Sequence, residues 1–476
     1  MAKRETFAKN YLFNLIYQTV AIALPLVTTP YISRVLGAEN IGKYSFAHSI
    51  VSYFVLFAAL GSTMYGQRLI ARAGDDAKEK TRLFFEVLIL RAVGSAVTAL
   101  IYCLTVIPRS SPSLLYWVVA IEIVTVAFDI IWFFQGAENF RPVAISIIVG
   151  RILAIGGIFF FVKSRDDLII YAALYCASLL LGNLAQWIFL PKHLVKLEKG
   201  ERRLRVFRHA LPSLSLFVSQ AAIQVYTVLD KTMIGVITGS DAENGYYEQS
   251  QRLCRVLVAI VCSLGAVMAS RVAALWREGK KDEVYSLIEG SFRFIFALSV
   301  PMAVGVVLVA SRFVPMFYGE GFEPVTKLLI ALSPMLTILG CSNVIGVQLL
   351  VPTGRERLLT ASVVVGAIVN VVLNLFLIKH ISSLGAVIAS LFAEAAVTGV
   401  QFFFVRREIK LLSILRLSVR YILFGGIMGG VGAVISRFAP DGLWGVSLMA
   451  LPCIVVYGVL LLVTRDPVIR FFKKAK

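Results

Sequence analysis

Charge is scarce in this chain: only 16% of its 476 residues are Asp, Glu, Lys or Arg, where an ordinary soluble domain carries about 25%. Acid is scarcer than base, with 28 Asp+Glu against 47 Lys+Arg. Histidine is nearly absent, and the four present (His48, His193, His209, His380) are too far apart in sequence to argue for a metal site or a His-based triad. The six cysteines (Cys103, Cys176, Cys254, Cys262, Cys341, Cys453) contain no CxxC pair and all fall in apolar stretches, so they read as small core hydrophobes. Also missing is any long polar stretch between apolar runs. That leaves no room for a globular catalytic domain, and it argues against a membrane-embedded polymerase or ligase, which needs a long external loop to carry its catalytic residues.

Hydrocarbon is what the chain has in plenty: 58% of residues are hydrophobic and the mean hydropathy is +0.82. At about 20 apolar residues per crossing, a chain of this length accommodates fourteen helices joined by short loops. Apolar runs broken by charge and turn residues place these spans near 10–32, 44–65, 84–106, 114–134, 142–162, 168–190, 210–237, 246–270, 286–310, 325–352, 358–378, 385–405, 419–437 and 443–463. Lys3, Arg4 and Lys9 precede an apolar run that continues to Ile32. A secretory leader has a shorter core and a small-residue cleavage site, so the first span is expected to be retained. It also carries Asn14, Gln18, Pro25 and Pro30, and proline bends a helix, so a hinge is expected there.

The excess of base, +19, would suggest nucleic acid on a soluble chain. Sorted by these spans, about two thirds of the Lys and Arg fall in the N-terminus, every second connection and the C-terminal tail. The asymmetry predicts cytoplasmic termini and no nucleic-acid partner. The basic block at 191–209 reads as a cytoplasmic linker between an N-terminal six-helix lobe, 1–190, and a C-terminal one, 210–405. Residues 406–476 supply helices thirteen and fourteen and a basic tail.

Internal repetition points to the same division. Ala38-Glu39-Asn40 with Gly42 and Tyr44 recurs as Ala242-Glu243-Asn244-Gly245-Tyr246, and Gln135 through Ser146 to Gly150 recurs as Gln348 through Ser362 to Gly366. Both matches correspond to a shift of six spans. Six is even, so the halves share one orientation and form parallel repeats.

Two motifs imitate nucleotide chemistry. Gly37 to Lys43 spells GxxxxGK, but Tyr44 follows where Ser or Thr must hold magnesium, and no strand precedes it. Gly425, Gly426, Gly429, Gly430 and Gly432 lie in an apolar helix and read as a small-residue face for close packing. Neither a cofactor nor a metal is expected.

The informative residues are ionisable groups inside spans, each costing about 2.5–3.5 kcal/mol on insertion scales. Away from the basic residues at the ends of spans ten and thirteen, they are Glu86, Arg91, Glu122, Asp129, Arg151, Asp230, Lys231, Glu248, Arg252, Arg255, Glu289, Arg293 and Glu394. Glu248/Arg252 and Glu289/Arg293 are four apart and can pair along one helix face, while Glu86, Glu289 and Arg293 lie close enough to span ends to snorkel. Glu122 and Asp129 have no basic residue nearby in sequence and Arg151 no acid. These three are expected to face a polar cavity.

The run Pro30-Tyr31-Ile32-Ser33-Arg34-Val35-Leu36-Gly37 with Gly42-Lys43-Tyr44-Ser45-Phe46 resembles the N-terminal signature of Wzx-type polysaccharide flippases, in the multidrug/oligosaccharidyl-lipid/polysaccharide exporter superfamily. Tyr65-Gly66 with Arg68, Trp132-Phe133-Phe134-Gln135-Gly136, and Asp230-Lys231 with Ile234-Gly235 extend the resemblance in order along the chain. It implies an all-α polytopic fold of two six-helix lobes in a V around a central cavity, with spans thirteen and fourteen forming a groove for a lipid tail. The implied activity is non-enzymatic movement of an undecaprenyl-pyrophosphate-linked oligosaccharide from the inner to the outer leaflet of a bacterial cytoplasmic membrane. A polysaccharide polymerase and glycosyltransferases would be its partners.

By the same resemblance Arg34, Lys231, Arg252 and Arg255 are candidates for the pyrophosphate. Arg91 and Arg151 join them as cations inside spans, and Glu122, Asp129, Asp230 and Glu394 are candidates for ion coupling or charge pairing. Seven acids stand inside the spans beside these bases, a departure from a purely cationic cavity. A cation-coupled multidrug exporter is the alternative; such proteins carry a coupling acid in the first span, and residues 10–32 contain none. Flippases for lipid II or teichoic-acid precursors differ from the main reading only in cargo.

Overall fold

A computed structural model describes the backbone of residues 2–198, 204–409 and 411–469, with side chains from residue 26 onward except at 218–219, 222–223, 225–226 and 411. Asn14, Gln18 and the Pro25 side chain, which bear on the expected hinge, lie outside the described residues, as do linker residues 199–203 and the tail beyond 469.

Among the described residues there is no strand. The helices are α1 (Ala2–Ala59), α2 (Ser62–Arg72), α3 (Ala77–Thr105), α4 (Ser113–Val119), α5 (Ile121–Phe128), α6 (Ile131–Gly136), α7 (Phe140–Phe161), α8 (Leu168–Trp187), α9 (Ala210–Thr238), α10 (Asp241–Val261), α11 (Gly265–Arg277), α12 (Lys281–Tyr318), α13 (Glu323–Leu332), α14 (Met335–Ile345), α15 (Glu356–Val405), α16 (Leu411–Ser436) and α17 (Leu443–Val463).

Ten helical stretches among the described residues are long and apolar enough to cross a membrane, and α10 with α11 form an eleventh, bent by 40°. Two stretches hold two helices each. Helix α1 breaks at Gly37, whose φ of 73° is the left-handed conformation glycine alone adopts without strain. Helix α15 breaks at Ile381 and Ser382. Divided at both breaks, and with the 29-residue α9, the described helices follow the fourteen apolar runs of the sequence. This is a multi-pass membrane protein.

Two compact units divide the chain, Met1–Thr232 and Met233–Lys476. In the first, Phe84, Trp132, Phe133 and Phe134 form an aromatic core with Ile70 and Val87. In the second, Phe292, Ile295, Val344, Leu349 and Tyr421 are among the buried residues that join α12, α14 and α16. Apolar side chains also face outward, as Leu451, Ile454, Val455 and Leu462 do on α17. In water such a surface would be an aggregation patch; in lipid it is the solvated face.

The sequence repeats have matching structural roles in the two units. Asn40 donates from Nδ2 to the Arg165 carbonyl at 2.7 Å, tying the first motif to the turn before α8. Glu243, in the second copy, accepts from the Ser383 N–H at 3.0 Å at the break in α15. A Cβ on Gly150 would lie 2.7 Å from the Ser178 carbonyl on α8, and one on Gly366 would overlap Val397 and approach the Ala393 carbonyl in the second half of α15. Gly150 and Gly366 therefore each stand at a close approach of the corresponding helix pair in its own unit.

Candidate functional site

Helix α3 carries two charges into the first unit. Arg91 is 2% exposed. It donates from Nε to the Val126 carbonyl at 3.1 Å, from Nη1 to the hydroxyls of Ser62 and Thr63 at 2.9 Å each, and from Nη2 to Asp129 Oδ2 at 2.8 Å. Four of its five N–H donors are thus used within the unit. Asp129 ends α5, and its other oxygen accepts from the Ile131 N–H at 3.0 Å, starting α6. Asp129, a candidate for ion coupling or charge pairing, is thus paired, and its partner is Arg91, a candidate for substrate; together they tie α2, α3 and α5 to one another.

Glu86 does not snorkel. Its side chain is fully buried, and it receives the chain that leads into α9: the Arg205 N–H at 2.7 Å, Arg208 Nη2 at 2.8 Å and His209 Nε2 at 2.6 Å. Tyr65 closes the network on His209 Nδ1 at 2.9 Å. Beside it, a Cβ on Gly66 would come within 2.5 Å of the Trp132 ring. The Tyr65-Gly66 and Trp132-to-Gly136 signatures are therefore one packed unit, α2 on α6, with Tyr65 reaching out of it to the linker.

Glu122 on α5 is 5% exposed and meets His48 Nδ1 on α1 at 3.0 Å. Sequence reasoning found no partner for Glu122 or Asp129 because neither partner is local: His48 is 74 residues away and Arg91 is 38.

The remaining candidates differ in exposure. Arg34 is exposed on α1, Arg151 is half-buried on α7, and Asp230 and Lys231 are buried on α9. In the second unit Glu248 Oε1 lies 3.3 Å from Arg252 Nη2 and 3.5 Å from Arg255 Nη2, and Arg255 keeps 55% of its side chain exposed. Glu289 and Arg293 sit 3.7 Å apart. Both i, i+4 pairs are as the spacing predicts. Glu394 is half-buried on α15, and none of Arg34, Arg151, Asp230, Lys231 or Glu394 is without an interaction partner. The GxxxxGK look-alike is helical after its first glycine, with Lys43 on Glu39 at 2.7 Å; it makes no phosphate loop.

The second unit also holds an apolar groove of about 850 Å³ between α12, α14, α15 and α16, with Phe296, Val300, Val307, Phe402, Leu415 and Ile422 on its walls. The glycines of α16 divide their work around it. Gly425 and Gly432 are spaces for Val300 and Leu308 of α12, whereas Gly426 has nothing within 4 Å of a Cβ and lines the groove. Helix α17, expected to share the lipid groove, contributes none of its lining residues. It packs on another side of α16, where Cys453 meets the Met428 carbonyl at 3.6 Å.

Among the described residues the architecture is thus that of an all-helical, polytopic membrane protein in two units, with a repeated motif in each. The family model for "Polysaccharide biosynthesis protein" matches residues 7–270, more than half of the chain, and the chain belongs to that family. A "Putative O-antigen transporter" of Escherichia coli (strain K12) is 24% identical over 409 residues, covering 85% of this chain and 97% of that one. Among solved structures, the lipid II flippase MurJ in an inward closed conformation has a TM-score of 0.79 at 15% identity, covering 96% of this chain and 99% of that one. An inward-facing multidrug resistance MATE transporter of the MOP superfamily has a TM-score of 0.58 at 14% identity, covering 83% and 98%. These likenesses show that the chain shares the fold of those two proteins.

Proposed function

We propose that this chain is a flippase that carries an undecaprenyl-pyrophosphate-linked oligosaccharide from the cytoplasmic to the outer leaflet of a bacterial inner membrane, with both termini cytoplasmic. The observation that carries the reading is the apolar groove of the second unit, in a chain of a polysaccharide biosynthesis family. A sugar-diphosphate headgroup cannot cross about 30 Å of hydrocarbon unaided, because each charge and unpaired hydroxyl is costly there. A prenyl chain has the opposite preference, and a groove walled by Phe, Val, Leu and Ile gives it a place beside the protein while the headgroup moves. The small polar component, Ser333, Thr337 and Ser418, leaves no charge to repel it.

For the pyrophosphate the candidate cations are Arg34, Arg151, Lys231, Arg252 and Arg255. Arg255 is the most accessible of the two that share Glu248, and an incoming phosphate competes with that carboxylate for it. Arg91 is left out, since its donors are committed to protein. Moving each negative charge outward down an inside-negative potential gains about 2.3 kcal/mol per 100 mV, so an alternating-access cycle needs no ATP.

Deleting the gene tests the reading. In a strain with no second flippase, lipid-linked repeat units should accumulate in the inner leaflet and surface glycan should disappear. Normal surface glycan with no trapped intermediate would refute it, and drug hypersensitivity in its place would favour the multidrug exporter.

A further inference from the structure

The first unit holds a small polar pocket of about 360 Å³, walled by Tyr65 and Arg72 of α2, Glu79 of α3, and Arg208 and His209 of the linker. It lies at the ends of two crossings, since α2 stops at Arg72 and α3 begins at Ala77. This is the side on which the Lys and Arg of the connections accumulate, the level of the lipid headgroups.

Some of the lining groups are committed. His209 meets Tyr65 through Nδ1 and Glu86 through Nε2. Arg208 gives Nη2 to Glu86 and Nε to His209, and among the described residues nothing bonds its Nη1. Arg82 also stands 3.8 Å from Glu86, so that carboxylate does not depend on Arg208 alone.

Arg72 and Glu79 are different. Both are exposed, both line the pocket, and among the described residues neither makes an ion pair, with the other or with a third group. Nor is the Arg72 charge answered along its own helix. Helix α2 contains no acid, and Arg68, also exposed, stands four residues earlier as a like charge.

A pocket that holds two guanidinium groups and a carboxylate apart, rather than joined, suits a ligand with an anion and a cation of its own. Guanidinium forks match phosphate oxygens, and a carboxylate accepts from an ammonium. The neighbouring chain points to lipid as the source. Phe207 is 84% and Leu211 77% exposed, beside Arg205 and Arg208. Large apolar groups among basic ones belong at the boundary of headgroups and acyl chains, where basic pockets between crossing helices take phospholipid headgroups.

We infer that this pocket binds the headgroup of a phospholipid carrying both a phosphate and a primary ammonium, as phosphatidylethanolamine does, with Arg72 and Arg208 on the phosphate and Glu79 on the ammonium. A bound lipid would then join α2, α3 and the linker from outside, across the Glu86 network. The site does not rest on the flippase reading.

Native mass spectrometry of the purified full-length protein, given equal amounts of phosphatidylethanolamine, phosphatidylcholine and phosphatidylglycerol, tests it. The wild type should retain phosphatidylethanolamine severalfold over phosphatidylcholine, whose methylated ammonium has no N–H to donate, and over phosphatidylglycerol, which has no cation. Arg72→Gln should lower that retention severalfold and Arg72→Lys should keep most of it. Glu79→Gln should abolish the preference among the three lipids. Equal retention of all three by the wild type, a preference for phosphatidylglycerol, or an Arg72→Gln protein that binds as the wild type does would overturn the proposal. Soluble phosphoethanolamine or inorganic phosphate that displaces the lipid at equal concentration would overturn it too, by making the ligand a free phosphate. If Arg72→Gln is not monodisperse, Glu79→Gln decides: an unaltered lipid preference in that variant refutes the site.

Discussion

Arg91 and Asp129 meet at 2.8 Å with the guanidinium wholly enclosed in protein. Two charges that look functional from their placement in apolar helices are thus a structural joint between α3 and the α5–α6 turn. Removing one partner of a buried pair strands the other, at a cost of about 3–5 kcal/mol. Arg91→Ala and Asp129→Asn should each lower the unfolding temperature of the purified protein markedly, and Arg91→Met with Asp129→Leu should restore part of the loss. Full stability in either single variant would show that the pair is not a joint.

Gly66 is a second structural element inside a signature motif. An added methyl would press on the Trp132 ring, and overpacking of this kind costs about 1–3 kcal/mol. Gly66→Ala should reduce thermal stability by that amount, and Trp132→Leu added to it should relieve the clash. Equal stability of Gly66→Ala and wild type would mean that α2 and α6 are not held this closely.

The groove offers a cleaner separation of function from folding. Because a Cβ at Gly426 would meet nothing within 4 Å and the residue lines the groove, Gly426→Leu should leave the unfolding temperature near wild type while filling space meant for the prenyl chain. Flipping should fall severalfold. By contrast, Gly432→Leu drives a side chain into Leu308 and Cys453 and should lower stability and transport together. Unimpaired flipping by a folded Gly426→Leu protein would remove the groove from the mechanism.

Arg255 is more than half exposed and shares its acid with Arg252. Arg255→Gln should weaken binding of the pyrophosphate-linked substrate with little change in stability, since exposed ion pairs contribute only about 0–1 kcal/mol. Binding measured at rising salt should lose part of its salt dependence in the variant. Identical affinities would place the anion elsewhere.

The crossings were legible in the sequence because an apolar run of about 20 residues has few other fates. The repeat was legible too, since Ala38-Glu39-Asn40 and Gly150 recur in recognisable form and keep their roles. What stayed hidden was tertiary. His48 and Glu122, or Glu86 and His209, lie on different elements far apart in the chain. No periodicity within one helix reveals such a pair. The groove was hidden for a related reason: it is a gap between helices, set by which of the α16 glycines touch α12 and which do not. The breaks at Gly37 and Ser382 were legible only as loops. The structure shows them as single-residue or two-residue interruptions in long helices.

The most direct test of the account is a flipping assay in vesicles that contain only this protein and a lipid-linked oligosaccharide placed in one leaflet. The amount exposed on the opposite leaflet is read by a glycosidase that cannot cross the membrane. The account predicts that the protein moves the substrate across well above the rate of protein-free vesicles, and that an outward-positive potential accelerates outward movement. Substrate that stays in its original leaflet, with the protein folded and inserted, would contradict it.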